Sequence, residues 1–409
     1  MNEMKALIIN YPVLKIGGIE QFIYELCKFS LQNKYKVIWV YKNPLTIDDG
    51  YNDILDDIIL CERKSFFKTF SLKKLADEVD KITCISFTPF DHQRMLELCN
   101  NHSINNINPI YIIANTKGRY YYIEEYYYGF IRKVLREKVR DVMLEWYENN
   151  QIRFFAELQA KSFESKYNIK LYDINSLIIP SIRHFNQINL NDLKEKYKSN
   201  DFNIVTISRF DFPHKNYLLG LIDSFKEIKY KYSNAYLHIV GYGQDENIVR
   251  DKINKLPDFV KKSIVLHGAL SNERLIEVLK KMHLNISVAG SVAVGAVNGV
   301  LSIPARNFCG EECEVYGYLP NSISKVVSTE PGYPVTPYIE DVINFSFEKY
   351  RQIVMEGFNA YNKRKVNPDY LFDINNIIIN RDRHYRLLKL MDIFKDISYK
   401  IAITIGINK

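Results

Sequence analysis

Two cations six residues apart carry the clearest chemistry in this sequence. Arg209 ends the run Thr206-Ile207-Ser208-Arg209, and Lys215-Asn216 opens a helical pattern. A buried strand would deliver Arg209 at its carboxyl end and Lys215 just before a helix N-terminus. A guanidinium fork, a compact ammonium and a positive helix end together suit a diphosphate. Two ordinary surface cations would show the same spacing, so position alone leaves both readings open.

Alternating elements must position these residues. In the first half, residues 6–10 form a short apolar run ended by Tyr11-Pro12, and a helix follows Gly17-Gly18, where Ile19, Phe22, Ile23, Leu26 and Cys27 recur at helical spacing. Strand-like runs follow at 36–41, 82–87 and 110–114. Residues 130–146 make an amphipathic helix with an apolar stripe of Phe130, Ile131, Val134, Leu135, Val139, Val142, Met143 and Trp146, flanked by five basic residues and preceded by tyrosines at 120–122 and 126–128. The run LIIP at 177–180 ends the first half, and the polar stretch 186–200 reads as a linker. A second series then alternates strands at 203–207, 235–240, 264–267 and 284–288 with helices at 217–230, 246–255 and 272–281. The pattern predicts an α/β chain of two doubly wound Rossmann-like domains facing a cleft, with a C-terminal helical tail. The expected boundaries are 1–185, a linker at 186–200, 201–345, and a tail at 346–409.

The ordered pieces NIVTISRFDFPHKNYLLGLIDSFKEI, LHIVGYG and SIVLHGALSNERLIEVLKK, with KIGGIE after the first strand and LIIPS before the linker, resemble the retaining glycosyltransferases of family 4, which have the GT-B fold. The resemblance spans about residues 5–290. It implies that Arg209 and Lys215 neutralise the diphosphate leaving group of a nucleotide-sugar donor and are the catalytic pair. It implies that Gly17 and Gly18 bring backbone N–H groups close to the donor. Asn216 and Ser291 join the donor site, Gly241 and Gly243 close a turn near the base, and His267-Gly268 lies beside the base. A tight turn explains the glycines equally well, and a lone His at a strand end is often structural. The tail is expected to return to the N-terminal, acceptor-side domain.

One departure stands out. The family carries Glu-x7-Glu after the strand equivalent to 284–288, where one carboxylate contacts the sugar and the other the ribose. Here residues 289–299 read AGSVAVGAVNG, without a carboxylate; Glu311, Glu312 and Glu314 follow. A ribose or sugar hydroxyl would then meet Ser291, Asn298 or backbone, or the later glutamates would fold back. The family's N-domain His is also replaced, by Asn115, and His92 does not match its position. Two functions therefore stay open. One is transfer of a sugar, with retention and without a metal or other cofactor, to a glycan or lipid-linked acceptor in surface polysaccharide, lipopolysaccharide or glycoconjugate synthesis. The other is a non-catalytic subunit of the same fold that binds a nucleotide, a glycan or a partner transferase.

Composition narrows the classes further. The 409 residues are 47% hydrophobic and 25% charged, ordinary for a globular chain with a sizeable core. A net charge of +7 suits anionic ligands and is too mild to demand nucleic acid. No Gly-x-Gly-x-x-Gly fingerprint of a dehydrogenase follows the first strand. The cysteines at 27, 61, 84, 99, 309 and 313 lack zinc-like spacing and read as structural thiols. The N-terminal apolar stretch is too short for a signal peptide, and no run reaches the ~20 residues of a membrane span. The expectation is a cytoplasmic bacterial protein, with peripheral contact on the inner face of the membrane through residues 130–146 or 381–396 as a further idea.

Overall fold

A computed structural model describes residues 3–12, 18–42, 45, 49–68, 72–114, 129–155, 157–179, 187–310, 312–362 and 371. The chain divides into two compact units, one of residues 1–182 with 366–409 and the other of residues 183–365. Each unit holds a parallel sheet.

In the first unit the strands are β1 (Lys5–Asn10), β2 (Lys36–Tyr41), β3 (Ile59–Glu62), β4 (Lys81–Ser86), β5 (Ile107–Ile113) and β6 (Ile152–Phe154). Their order is β3-β2-β1-β4-β5-β6, parallel throughout. The chain reverses direction across the sheet between β1 and β4, the crossover expected of a doubly wound fold. Because both faces are covered, these strands are continuous apolar runs and not alternating ones. Leu7 and Ile9 enter one core with Ile23, Leu26 and Cys27 of the helix Gly18–Gln32. Ala6 and Ile8 enter another with Met95 and Cys99 of the helix Pro89–His102. The latter starts cleanly, because Thr88 Oγ1 accepts the Asp91 N–H and proline follows at the first helical position.

The amphipathic helix runs from Gly129 to Glu148. Its residues Val139, Val142, Met143 and Trp146 are buried against Tyr111, Ile152, Phe154 and Phe163 of its own unit, and Leu135 is buried as well. The stripe is therefore core, and the idea that it lies in a membrane surface loses its apolar face. Phe130 of this helix is 80% exposed. The second membrane candidate, residues 381–396, lies outside the described residues, as do the tyrosines at 120–128. No described helix is long and apolar enough to cross a membrane.

The LIIP run is not a full strand. Ile174–Leu177 is a helical turn, and only Ile178 pairs, through a parallel bridge to Phe154. The polar stretch read as a linker carries a helix, Leu190–Tyr197. Two residues dock it: Leu193 is buried in the second unit's core, and Tyr197 packs on the same core while its Oη donates to the Phe345 carbonyl at 2.7 Å.

The second unit's sheet has the order β11-β10-β7-β8-β9, again all parallel. Its strands are β7 (Phe202–Ile207), β8 (Ala235–Val240), β9 (Ile264–Gly268), β10 (Leu284–Ser287) and β11 (Leu301–Pro304). Ile204, Leu237, Ile239, Ile286 and Ile303 pack on Leu218, Leu221, Ile222 and Phe225 of the helix Tyr217–Lys231. Val205 and Val240 face the other way, onto Leu279, Met282 and Val300. The first part of the tail stays with this unit: in the helix Phe347–Asn362, Tyr350 is buried and donates to the His283 carbonyl at 2.9 Å. Leu371 is buried in the first unit's core, where its carbonyl accepts from Thr83 Oγ1 at 3.4 Å. Burial raises the thiols of Cys27, Cys84, Cys99, Cys309 and Cys313, so they sit in the cores as inert apolar groups.

Candidate functional site

Parallel strands bring every carboxyl end to one edge of the sheet, and ligands of open α/β sheets bind there. In the second unit this edge collects all but two of the candidate residues. Arg209, Lys215 and Asn216 follow β7, Gly241 and Gly243 follow β8, and His267-Gly268 ends β9. Ser291 lies in the first turn of the helix Gly290–Val297, after β10. The exceptions belong to the first unit. Gly18 opens the helix after β1, and an added Cβ there would meet nothing within 4 Å. Gly17 lies outside the described residues, and so does Asn115.

The two cations differ in environment. Arg209 is exposed, with Nη2 3.3 Å from Asp211 Oδ2. Lys215 is largely withdrawn from water, and its Nζ reaches the neutral Asn307 Oδ1 at 3.4 Å. Burial, then the neighbouring Arg209 charge, push its ammonium down from 10.5 to about 8, against a smaller pull from Asp211. An ammonium desolvated beside a second cation gains much from an anion. Asn216 caps the next helix through its backbone alone, with no side-chain capping bond.

Neighbouring loops hold this one in place. Gly241 lies at φ +140°, and a Cβ there would stand 1.8 Å from the Ser208 carbonyl oxygen. A Cβ on Gly243 would stand 2.2 Å from the Phe210 carbonyl oxygen. Both glycines thus let the loop after β8 lie directly on the backbone after β7, where Phe210 N–H donates to the Tyr242 carbonyl at 2.9 Å. Asp245 adds a clamp, its Oδ2 accepting the Phe212 N–H at 2.7 Å. These are positioning contacts. The packing explanation for the glycines is sufficient by itself, whatever they do for a ligand.

His267 is already engaged. Its Nε2 lies 2.9 Å from His238 Nδ1, and His238 Nε2 lies 3.1 Å from Asn203 Oδ1. Burial lowers the pKa of both imidazoles, His238 to about 4, so the pair stays neutral near pH 7. Any ligand contact at this strand end is left to the backbone and to Gly268, where an added Cβ would meet open space. His92 is likewise structural: it is fully buried, 3.0 Å from Gln151 Oε1 and edge-on to Trp146.

A polar network beneath the Gly290–Val297 helix was not foreseen from sequence. Ser287 Oγ accepts the Ile207 N–H at 3.0 Å and donates to Asn285 Oδ1 at 2.7 Å. Asn285 Nδ2 donates to the Ser291 carbonyl at 3.0 Å and to Ser302 Oγ at 3.2 Å. Gly295 is required by this contact, since its Cβ would fall 2.3 Å from Asn285 Nδ2. The network ties the end of β7, and so Arg209, to the start of that helix. Ala289, immediately before it, takes φ +52° and ψ −129°, a strained conformation for a residue with a Cβ. Glu314 does not fold back towards this edge as a free carboxylate. Arg306 Nη1 holds both its oxygens, at 2.8 and 2.9 Å, and Gly332 N–H donates to it at 2.6 Å.

Neither a protein-family model nor a curated protein matches the sequence. Solved structures do match. A glycosyltransferase from Rickettsia africae aligns with a TM-score of 0.56 at 15% identity, over 96% of this chain and 98% of that one. Alr3699/HepE of Anabaena, solved with UDP and glucose, aligns with a TM-score of 0.54 at 12% identity, over 90% and 97%. TarM of S. aureus, solved with fondaparinux, α-GlcNAc-glycerol and UDP, aligns with a TM-score of 0.50 at 11% identity, over 94% and 99%. The chain shares with these structures the GT-B fold of two parallel-sheet Rossmann-like domains.

Proposed function

We propose that this chain is a glycosyltransferase that moves a sugar from a nucleotide-diphosphate donor to a glycan or lipid-linked acceptor. The observation that carries this reading is the pair Arg209 and Lys215 at the carboxyl end of β7, one of them a desolvated ammonium with a neutral partner. The GT-B fold supports it, and the resemblance to family 4 adds retention at the anomeric carbon and a role in surface glycan synthesis. During transfer the acceptor hydroxyl oxygen bonds to the anomeric carbon as the bond from that carbon to the diphosphate oxygen breaks; the hydroxyl proton passes to the departing diphosphate, on which negative charge has grown. Arg209 and Lys215 meet that charge as it develops. Asn216 and the backbone at Ser291 line the same edge, and the open space at Gly268 suits the base.

The missing carboxylates favour a second reading. Residues 289–299 contain none, and Glu314 is consumed by Arg306. A non-catalytic subunit that binds a nucleotide or glycan without turnover fits those facts. Incubating the purified chain with UDP-, GDP- and other nucleotide sugars separates the two readings. Release of nucleoside diphosphate is expected for a transferase, and tight binding without release for the subunit. Binding to none of them would end the transferase reading and leave only a subunit that binds a glycan or a partner transferase. Turnover should also survive EDTA, because the two cations supply the charge a metal would otherwise bring. Activity lost to EDTA and restored by magnesium or manganese would count against that.

The lysine also predicts a pH dependence. A bound diphosphate raises the ammonium's pKa above its free value of about 8. Binding therefore takes up little proton at pH 7, and a growing fraction of one proton between pH 8 and 9. Affinity falls as pH rises through that range. Calorimetry in buffers of different ionisation enthalpy measures the uptake. In the free protein the sign is opposite: the unfolded chain keeps this proton to 10.5, so the group's contribution to stability rises from pH 8 to 10.5.

A further inference from the structure

The loop after β11 joins the phosphate cations through two consecutive residues. Asn307 is buried at 4% exposure and accepts from Lys215 Nζ. Phe308 donates its N–H to the His214 carbonyl at 3.2 Å. The Phe308 ring lies against the His214 imidazole, with centroids 4.7 Å apart and planes 31° from parallel. Burial, then the Lys215 charge, push His214 down to about 4, so this imidazole is a neutral aromatic surface near pH 7. The pair His214–Lys215 is thus held by the pair Asn307–Phe308.

Phe308 is unusual in two further ways. It takes φ +54°, which an aromatic side chain adopts only at a cost, and it remains 47% exposed. A large ring kept half in solvent on a strained backbone, beside a phosphate-binding lysine, is poorly explained by core packing. Its place in the sheet also distinguishes it. Among the carboxyl ends, β11 lies at the opposite edge from β9, with β7 between them. A nucleotide whose base sits at Gly268 and whose phosphates sit at Lys215 would put its remaining group towards β11.

We propose that His214 and Phe308 form an aromatic plate for the sugar of the donor, with the Phe308 ring against the apolar C–H face of a pyranose. This rests on the donor-site reading above. Where the resembling family uses a glutamate to grip sugar hydroxyls, this chain would hold the ring by its apolar face. Phe308 is then a positioning residue that reads the sugar and not the nucleotide.

The test compares each nucleoside diphosphate with its sugar, using UDP with UDP-glucose and GDP with GDP-mannose, by calorimetry on the full chain. Phe308→Gly removes the ring and relieves the positive φ. Its affinity for the nucleoside diphosphate should stay within about twofold, while the Kd ratio of nucleotide sugar to nucleoside diphosphate rises about tenfold. Phe308→Trp should keep the native ratio. Phe308→Leu, which keeps apolar bulk without a flat ring, should shift the ratio as glycine does, so a poorly folding glycine variant does not decide the matter. A ratio unchanged in both the Gly and Leu variants overturns the plate and leaves the donor site standing. An unmodified protein that binds none of UDP, GDP, ADP, CDP and dTDP overturns the donor site and the plate together.

Discussion

Replacing Lys215 with methionine should weaken nucleoside-diphosphate binding by roughly 10- to 150-fold, the equivalent of one charge-assisted contact of about 1.5–3 kcal/mol. Methionine keeps the length and apolar stem, so the loss isolates the charge. Fold stability should not fall with it. The ammonium's described partner is a single neutral contact of 3.4 Å to Asn307, and burial beside Arg209 already disfavours its charge. Removing a desolvated cation that has no ion pair among the described residues relieves the free protein. The expected signature is lost affinity for UDP or GDP at a melting temperature equal to or above the native value. Arg209→Gln should cost less, because Asp211 already shares its charge and water screens it; its effect should also shrink more with salt. Unchanged affinity in Lys215→Met, with the unmodified protein binding normally, would remove Lys215 from the site.

Four of the second unit's five strands were legible in sequence, because β7, β8 and β10 are mostly buried, β9 is an apolar run although partly exposed, and the punctuation is local; β11, the buried four-residue run Leu301–Pro304, was not read. Ala235–Val240 is bounded as read, and β7, β9 and β10 differ from their expected spans by a residue at one end. Elements with weak local signals were missed. Ile152–Phe154 has three residues, and Ile59–Glu62 is half exposed at the sheet edge, so neither makes a distinct apolar run. The helix Leu190–Tyr197 reads as linker in sequence because seven of its eight residues are not buried; Leu193, with the partly buried Tyr197, docks it.

The site followed the same division. Arg209 and Lys215 were readable because strand end and helix start lie six residues apart. Asn307 was not, because it meets Lys215 across 92 residues and no short-range pattern encodes that. The Asn285–Ser287–Ser302 network did leave a trace. Asn285 and Ser287 are polar residues two apart within an otherwise apolar strand, which places both on one face. Two buried polar side chains on one face of a central strand need partners, and that demand could have been stated before the partners were known. His267 shows the converse. Its type suggested chemistry, but the ring is spent on His238, and only long-range pairing of β8 with β9 creates that contact.

Alanine at Gly241 should be the most damaging single substitution among the glycines of the donor-side edge. Its Cβ would lie 1.8 Å from a backbone oxygen and 2.8 Å from the carbon that carries it, at φ +140°. Neither backbone can retreat freely. Gly241 N–H donates to the Gly268 carbonyl at 2.8 Å, and Ser208 N–H donates to the Val240 carbonyl at 2.9 Å. Backbone strain of about 1–3 kcal/mol and overlap of a similar size make about 2–6 kcal/mol in total. For a unit of this size that lowers the melting temperature by roughly 4–24 °C. Arg209, the residue after Ser208, would shift with the loop, so nucleotide binding should fall in the same variant. Gly268→Ala meets open space at φ +67° and should cost only about 1–2 kcal/mol. Gly18→Ala meets nothing within 4 Å at a helix start and should leave stability unchanged. If Gly18 touches the donor through its backbone, that variant loses affinity without losing stability. Thermal melts of the three variants, each with and without UDP or GDP, rank them. A Gly241→Ala protein that melts like the native chain would mean that the loops after β7 and β8 are not pressed together, and that Arg209 is not held where a diphosphate could use it.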